Sequence, residues 1–180
     1  MRVLVIGGSG FIGSHVVDAL LARGLDVTVL DRERERYRPL PPGVEYIAGE
    51  LGNRGGLESI ISRGVDYVVH LASSTVPKTS NDDPIFDVHM NLVESIALLE
   101  MCRDYKVRKI AFFSRAGTVY RIPVALPVSE THPTDPLCSY GMVNLAAEKY
   151  LQCFHHLYAL QYVALRVSNA YGIRQNPASQ

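Results

Sequence analysis

The 180-residue chain lacks any charge imbalance: Lys and Arg together number 18, and so do Asp and Glu. With no basic excess to attract nucleic acid or an anionic membrane, a small-molecule partner is expected, with no nucleic acid and no membrane involved. The chain also lacks an apolar run approaching the ~20 residues that cross a bilayer. Val3, Leu4, Val5 and Ile6 near the start are too few for the core of an export signal and are cut off by Gly7 and Gly8. A cytoplasmic protein is expected. Cysteine is scarce: Cys102, Cys138 and Cys153 are odd in number, have no CxxC spacing, and read as small buried residues of a reduced protein. The six histidines show no metal-ligand spacing, so no metal is expected, and His155 and His156, adjacent on a predicted helix, point to different faces. Internal repeats and low-complexity tracts are absent.

What the chain does have is alternation. Short β-branched runs at 2–6, 27–30, 44–47, 67–70, 109–114 and 162–167 read as strands. Between them, stretches 11–23, 57–63, 84–105 and 140–157 carry apolar residues at helical spacing, as in Leu92, Ile96, Leu99 and Cys102. Strands alternating with crossover helices imply an α/β, doubly wound parallel sheet, whose ligands sit beyond the carboxyl ends of the strands. One domain over 1–180 is expected, since a chain this long buries roughly 70% of its unfolded surface. Residues 31–43 (DRERERYRPLPPG) read as a solvated loop.

The first strand runs straight into Gly7-Gly8-Ser9-Gly10-Phe11-Ile12-Gly13 and then a helix. Gly8, Gly10 and Gly13 satisfy G-x-G-x-x-G, where missing side chains permit the turn, the approach of a phosphate, and tight helix packing. This is the dinucleotide-binding turn of a Rossmann fold. Asp31 ends the second strand about twenty residues on, where a carboxylate accepts ribose hydroxyls and repels a 2′-phosphate, which favours NAD. Arg32 and Arg34 keep NADP open as the lesser alternative.

Gly7-x-x-Gly10-x-x-Gly13 has the spacing of the extended short-chain dehydrogenase/reductases, and further segments agree in order along essentially the whole chain. His70-Leu71-Ala72-Ser73, Asn91, Thr118-Val119-Tyr120, Ser139-Tyr140-Gly141 and the run from Leu165 to Gly172 resemble successive motifs of that family's nucleotide-sugar epimerases, above all the UDP-glucose 4-epimerases. The resemblance implies an NAD-dependent enzyme acting on a nucleotide sugar. It further implies a UDP-linked substrate and a homodimer built through a four-helix interface. It implies cofactor contacts at Gly7, Gly10, Phe11, Ile12, Gly13, Asp31, Arg32, Glu50, Leu51, Leu71, Ala72, Ser73, Asn91, Ser114, Tyr140, Asn144 and Val167. It places Lys78, Thr118 and Asn169 against the substrate.

Epimerisation at a secondary alcohol needs a base, an oxidant and a hydroxyl that holds the sugar oxygen, and the resemblance assigns the first to Tyr140. Family members carry a lysine four residues after the tyrosine, whose charge readies the phenol; here that position is Asn144, which is neutral. Impaired catalysis is expected. The usual hydroxyl position falls on Ala116, so that Thr118 is the alternative donor, and Arg115 and Arg121 replace a small polar residue and a glycine. Family members continue past the segment matching Val167 to Gln175, into a region that closes over the sugar, whereas this sequence ends at Gln180. A half-open cleft with exposed apolar surface is expected. A catalytically weak or inactive binder of NAD or a nucleotide sugar is the alternative, with keto-sugar reduction and 4,6-dehydration ranked below it.

Overall fold

Six short runs pair edge to edge as parallel strands: β1 (Arg2–Ile6), β2 (Asp26–Asp31), β3 (Val44–Ala48), β4 (Tyr67–His70), β5 (Lys109–Arg115) and β6 (Gln161–Val167). Their order across the sheet is β3-β2-β1-β4-β5-β6. Val5 of β1 lies opposite Val29 of β2 and Val69 of β4. The order reverses beside β1, which opens a crevice at the carboxyl ends of β1 and β4. The computed structural model describes residues 1–35, 38–120, 122–123 and 126–175.

Because strand side chains alternate, each strand feeds two cores. Val3, Val5, Val27 and Val29 pack with Val17 of α1 (Phe11–Leu21) on one face. Leu4, Ile6, Val68 and Ile110 pack on the other face with Leu57 and Ile61 of α2 (Arg54–Ile61). Helix α3 (Pro84–Asp87) continues through a π-helical segment, Val88–Val93, into α4 (Glu94–Asp104). A four-residue turn of helix, α5 (Ala116–Val119), follows β5, and α6 (Ser139–Tyr158) precedes β6. Helices α4 and α6 complete the second layer through Leu98, Leu99, Ala147 and Leu151.

The strands match the expected runs to within a residue at each end. Helix α2 starts earlier than its apolar spacing suggests, because the Asn53 side chain accepts the Gly56 N–H at 3.1 Å and caps a first turn that contains two glycines. The cysteines are a correction: only Cys102 is a core residue, its thiol pushed up to about 12 by burial, whereas Cys138 is half-buried and Cys153 is exposed. Helical spacing turns Cys153 away from the stripe of α6 that packs on the sheet. On the α1 face, Val163 and Leu165 of β6 are exposed, so no described helix covers that end of the sheet. No helix among the described residues is long and apolar enough to cross a membrane.

Candidate dinucleotide-binding cleft

Gly7 leaves β1 with φ at +84°, a conformation that L side chains rarely adopt, and a Cβ there would meet the Ala72 nitrogen at 2.9 Å. A Cβ at Gly13 would collide with the Gly7 carbonyl oxygen, so this glycine is what lets α1 lie against the turn. Gly10 differs: a Cβ there would sit 3.5 Å from the Gly7 oxygen, an ordinary contact. Gly10 is also the N-cap of α1, with no side-chain cap and no acidic residue in the first turn. The first-turn amides and the positive end of the helix dipole are thus left for an external anion.

The tip of β2 is tied to this turn. Asp31 Oδ2 accepts the Ser9 N–H at 2.9 Å, so part of the carboxylate braces the turn, and the other oxygen, Oδ1, accepts from the Glu33 amide at 3.5 Å. Around these residues lies a smaller lobe of about 200 Å³, lined by Asp31, Arg32, Glu50, Leu51 and Met90. It shares Gly7, Gly10, Leu71, Ala72, Ser73 and Asn91 with a larger lobe of about 770 Å³. The larger lobe has the size of cofactor pockets, ~300–1,000 Å³. Of the loop arginines, Arg34 stacks over the Tyr46 ring at 5.2 Å, and Arg38 binds Asp18, Glu35 and the Ser14 carbonyl. Arg32 has no such partner among the described residues.

Tyr140 and Asn144 line the larger lobe from α6, and both are buried. Their placement depends on a buried carboxylate. Asp87, fully enclosed, accepts the Thr75 hydroxyl at 2.6 Å, the Asn91 amide at 2.8 Å and the Ser139 hydroxyl at 2.6 Å. Two amides are held as well: Ser139 N–H donates to Asn81 Oδ1 at 3.1 Å and Tyr140 N–H to Ser80 Oγ at 3.2 Å. The loop after β4 and the start of α6 are therefore joined as one piece. Asn144 Nδ2 donates to the Tyr140 carbonyl at 2.7 Å, so its amide turns back onto its own helix.

The structure brings most of the expected residues together. Phe11, Ile12, Gly13, Ser114, Val167 and Asn169 also line the larger lobe. Asn91 borders both lobes but its amide is spent within the wall: Oδ1 accepts the Ser74 N–H at 2.8 Å, and Nδ2 donates to Thr75 Oγ1 and Asp87. Lys78 is exposed in the loop after β4 and Thr118 donates to the Arg115 carbonyl at 3.3 Å; neither lines a lobe. Arg121 lies outside the described residues.

Among the lining residues not singled out as contacts from the sequence are His70 and Arg115. His70 sits at the end of β4, fully buried. The Ser95 hydroxyl donates to the Asn91 carbonyl at 2.6 Å, so it can only accept from His70 Nε2 at 3.0 Å, which fixes the proton on Nε2 and leaves Nδ1 bare. Burial lowers the imidazole to about 4, so the ring stays neutral. The Ser114 hydroxyl is likewise buried without a hydrogen-bond partner among the described residues. The position of His70 beside Leu71, Ala72 and Ser73 was the available signal; nothing in the sequence marks the Asp87 network.

The family model of the NAD dependent epimerase/dehydratase family matches residues 3–180. The chain belongs to that family. Among curated members, the UDP-glucose 4-epimerase of Halalkalibacterium halodurans is 36% identical over 177 residues, 98% of this chain and 53% of the relative. Among solved members, the UDP-glucose 4-epimerase of Thermus thermophilus in complex with NAD is 41% identical, with a TM-score of 0.90 over 98% of this chain and 58% of that one. The Thermotoga maritima UDP-glucose 4-epimerase with UDP-glucose gives 36% identity and a TM-score of 0.92, again over 98% and 58%. The chain thus spans between half and three-fifths of the length of these family members.

Proposed function

We propose that this chain binds NAD across the two lobes and acts on a nucleotide sugar, UDP-linked, as a 4-epimerase whose rate is lowered by Asn144. The observation that carries the reading is the shared cleft: the uncapped start of α1, the Asp31 carboxylate and the Tyr140 side chain all border one connected space. The residues fit a dinucleotide, since Gly7 and Gly13 sit where any Cβ would collide and Gly10 leaves its side open. NAD bound there supplies the oxidant that the reaction regenerates. Asp31 holds the adenosine ribose and disfavours a 2′-phosphate, and the engagement of Arg34 and Arg38 elsewhere leaves Arg32 as the one described loop arginine free to meet such a phosphate.

Tyr140 exchanges the proton of the sugar hydroxyl, and Asn169 faces the substrate from beyond β6. Relatives whose structures contain NAD or UDP-glucose support both ligand assignments. A homodimer through α6 and the α3–α4 stretch is supported by the exposed apolar side chains of Ile85, Phe86, Met142 and Tyr150. A second reading, a binder with little turnover, is favoured by the Asn144 amide being committed to the Tyr140 carbonyl and by the Thr118 hydroxyl turning to its own backbone.

Turnover of UDP-glucose and UDP-galactose by the wild type and by Asn144→Lys separates the two. The epimerase reading expects measurable wild-type activity that rises by about 10²–10⁴ with lysine, the range of a tuned general base. Inactivity of both proteins while NAD is bound selects the binder, and an unchanged rate in Asn144→Lys removes the charge argument.

A further inference from the structure

We propose that Arg115 is an anion-binding residue of the cleft, receiving an oxyanion of the substrate: either the diphosphate or a carboxylate carried by the sugar. The inference rests on the nucleotide-sugar reading above and names a feature of the substrate which that reading leaves open.

Among the described residues that line the larger lobe, Arg115 is the single one with a formally charged side chain, and none is Asp or Glu. Its guanidinium makes no ion pair, hydrogen bond or ring contact among the described residues, whereas Arg54, Arg103, Arg108 and Arg166 each engage a carboxylate. An unpaired cation in an otherwise neutral cleft attracts anions. Five donors in one plane make guanidinium suited to bidentate carboxylate or phosphate recognition.

The backbone that carries it is fixed. Arg115 pairs with Val167 across β5 and β6, and the Thr118 hydroxyl donates to its carbonyl. Alternation along β5 buries Ser114 toward α6 and leaves Arg115 exposed on the other face, that of Phe113. That face is the one no described helix covers over β6, where Leu165 is exposed. A ligand extending past the dinucleotide therefore has room to reach the guanidinium without displacing any described element.

Titration calorimetry on NAD-saturated protein, with UDP, UDP-glucose and UDP-glucuronate as probes, tests this in wild type, Arg115→Ser and Arg115→Lys. Arg115→Ser should weaken binding by about tenfold or more, the scale of a hydrogen bond to a charged group, with partial recovery in Arg115→Lys. Equal losses for all three probes assign the diphosphate; a loss confined to UDP-glucuronate assigns the sugar carboxylate. Unchanged affinities in Arg115→Ser overturn the proposal and leave the nucleotide-sugar reading standing. Failure of the wild type to bind any of the three overturns both.

Discussion

Gly10 and Gly13 sit three residues apart in one motif and serve different ends. At Gly13 an added methyl strikes backbone, so Gly13→Ala should cost about 3 kcal/mol of stability, read as a lower urea midpoint. At Gly10 the methyl fits the folded chain, so Gly10→Ala should change stability by less than about 1 kcal/mol while weakening NAD binding, because the methyl takes the space a phosphate needs. Equal destabilisation by both would contradict this division. His70 gives a pH dependence with a definite sign. Its buried imidazole titrates near 4 against 6.5 when unfolded, so the unfolded chain binds the extra proton between those values. The contribution is whole above pH 6.5 and is lost as pH falls toward 4, roughly 3 kcal/mol in all. Urea midpoints of the wild type should therefore fall more steeply over that window than those of His70→Asn; parallel slopes would refute the assignment.

Between elements, the decisive contact is Asp87, which joins α3, the loop after β4 and the first residue of α6. Asp87→Ala removes the acceptor of one buried and two half-buried donors and should cost about 3 kcal/mol, together with faster hydrogen exchange at the Tyr140 amide; Asp87→Asn, which keeps an acceptor, should cost less. An Asp87→Ala protein of wild-type stability and exchange would show that the network is incidental. This is also where the sequence stops being legible. Strand β1 was readable as an uninterrupted buried apolar run and the others as short β-branched or aromatic runs, and the glycine turn because its spacing carries its own geometry. The capped start of α2, the π-helical segment and α5 were not, since a glycine-rich first turn, an extra residue per turn and a four-residue helix leave no periodic trace. Nor does local sequence tell that Ser80, Asp87 and Ser139 meet, or that Thr118 turns away from the cleft; such facts depend on which loops the sheet brings together.

At the scale of the molecule, six parallel strands and a reversal of their order beside β1 place the cleft at the carboxyl ends of the strands. Membership of the epimerase/dehydratase family follows from a match over residues 3–180, while the proposed roles of the neutral Asn144 and of Arg115 belong to the cleft. Both matter only if the cleft takes the dinucleotide. The most direct test is a calorimetric titration of the folded wild type with NAD, paired with its melting temperature. The account predicts saturable heat at one site per chain and a melting temperature that climbs with NAD concentration, both diminished in Gly10→Ala. A folded wild type that gives no heat and melts at the same temperature at every NAD concentration would contradict it.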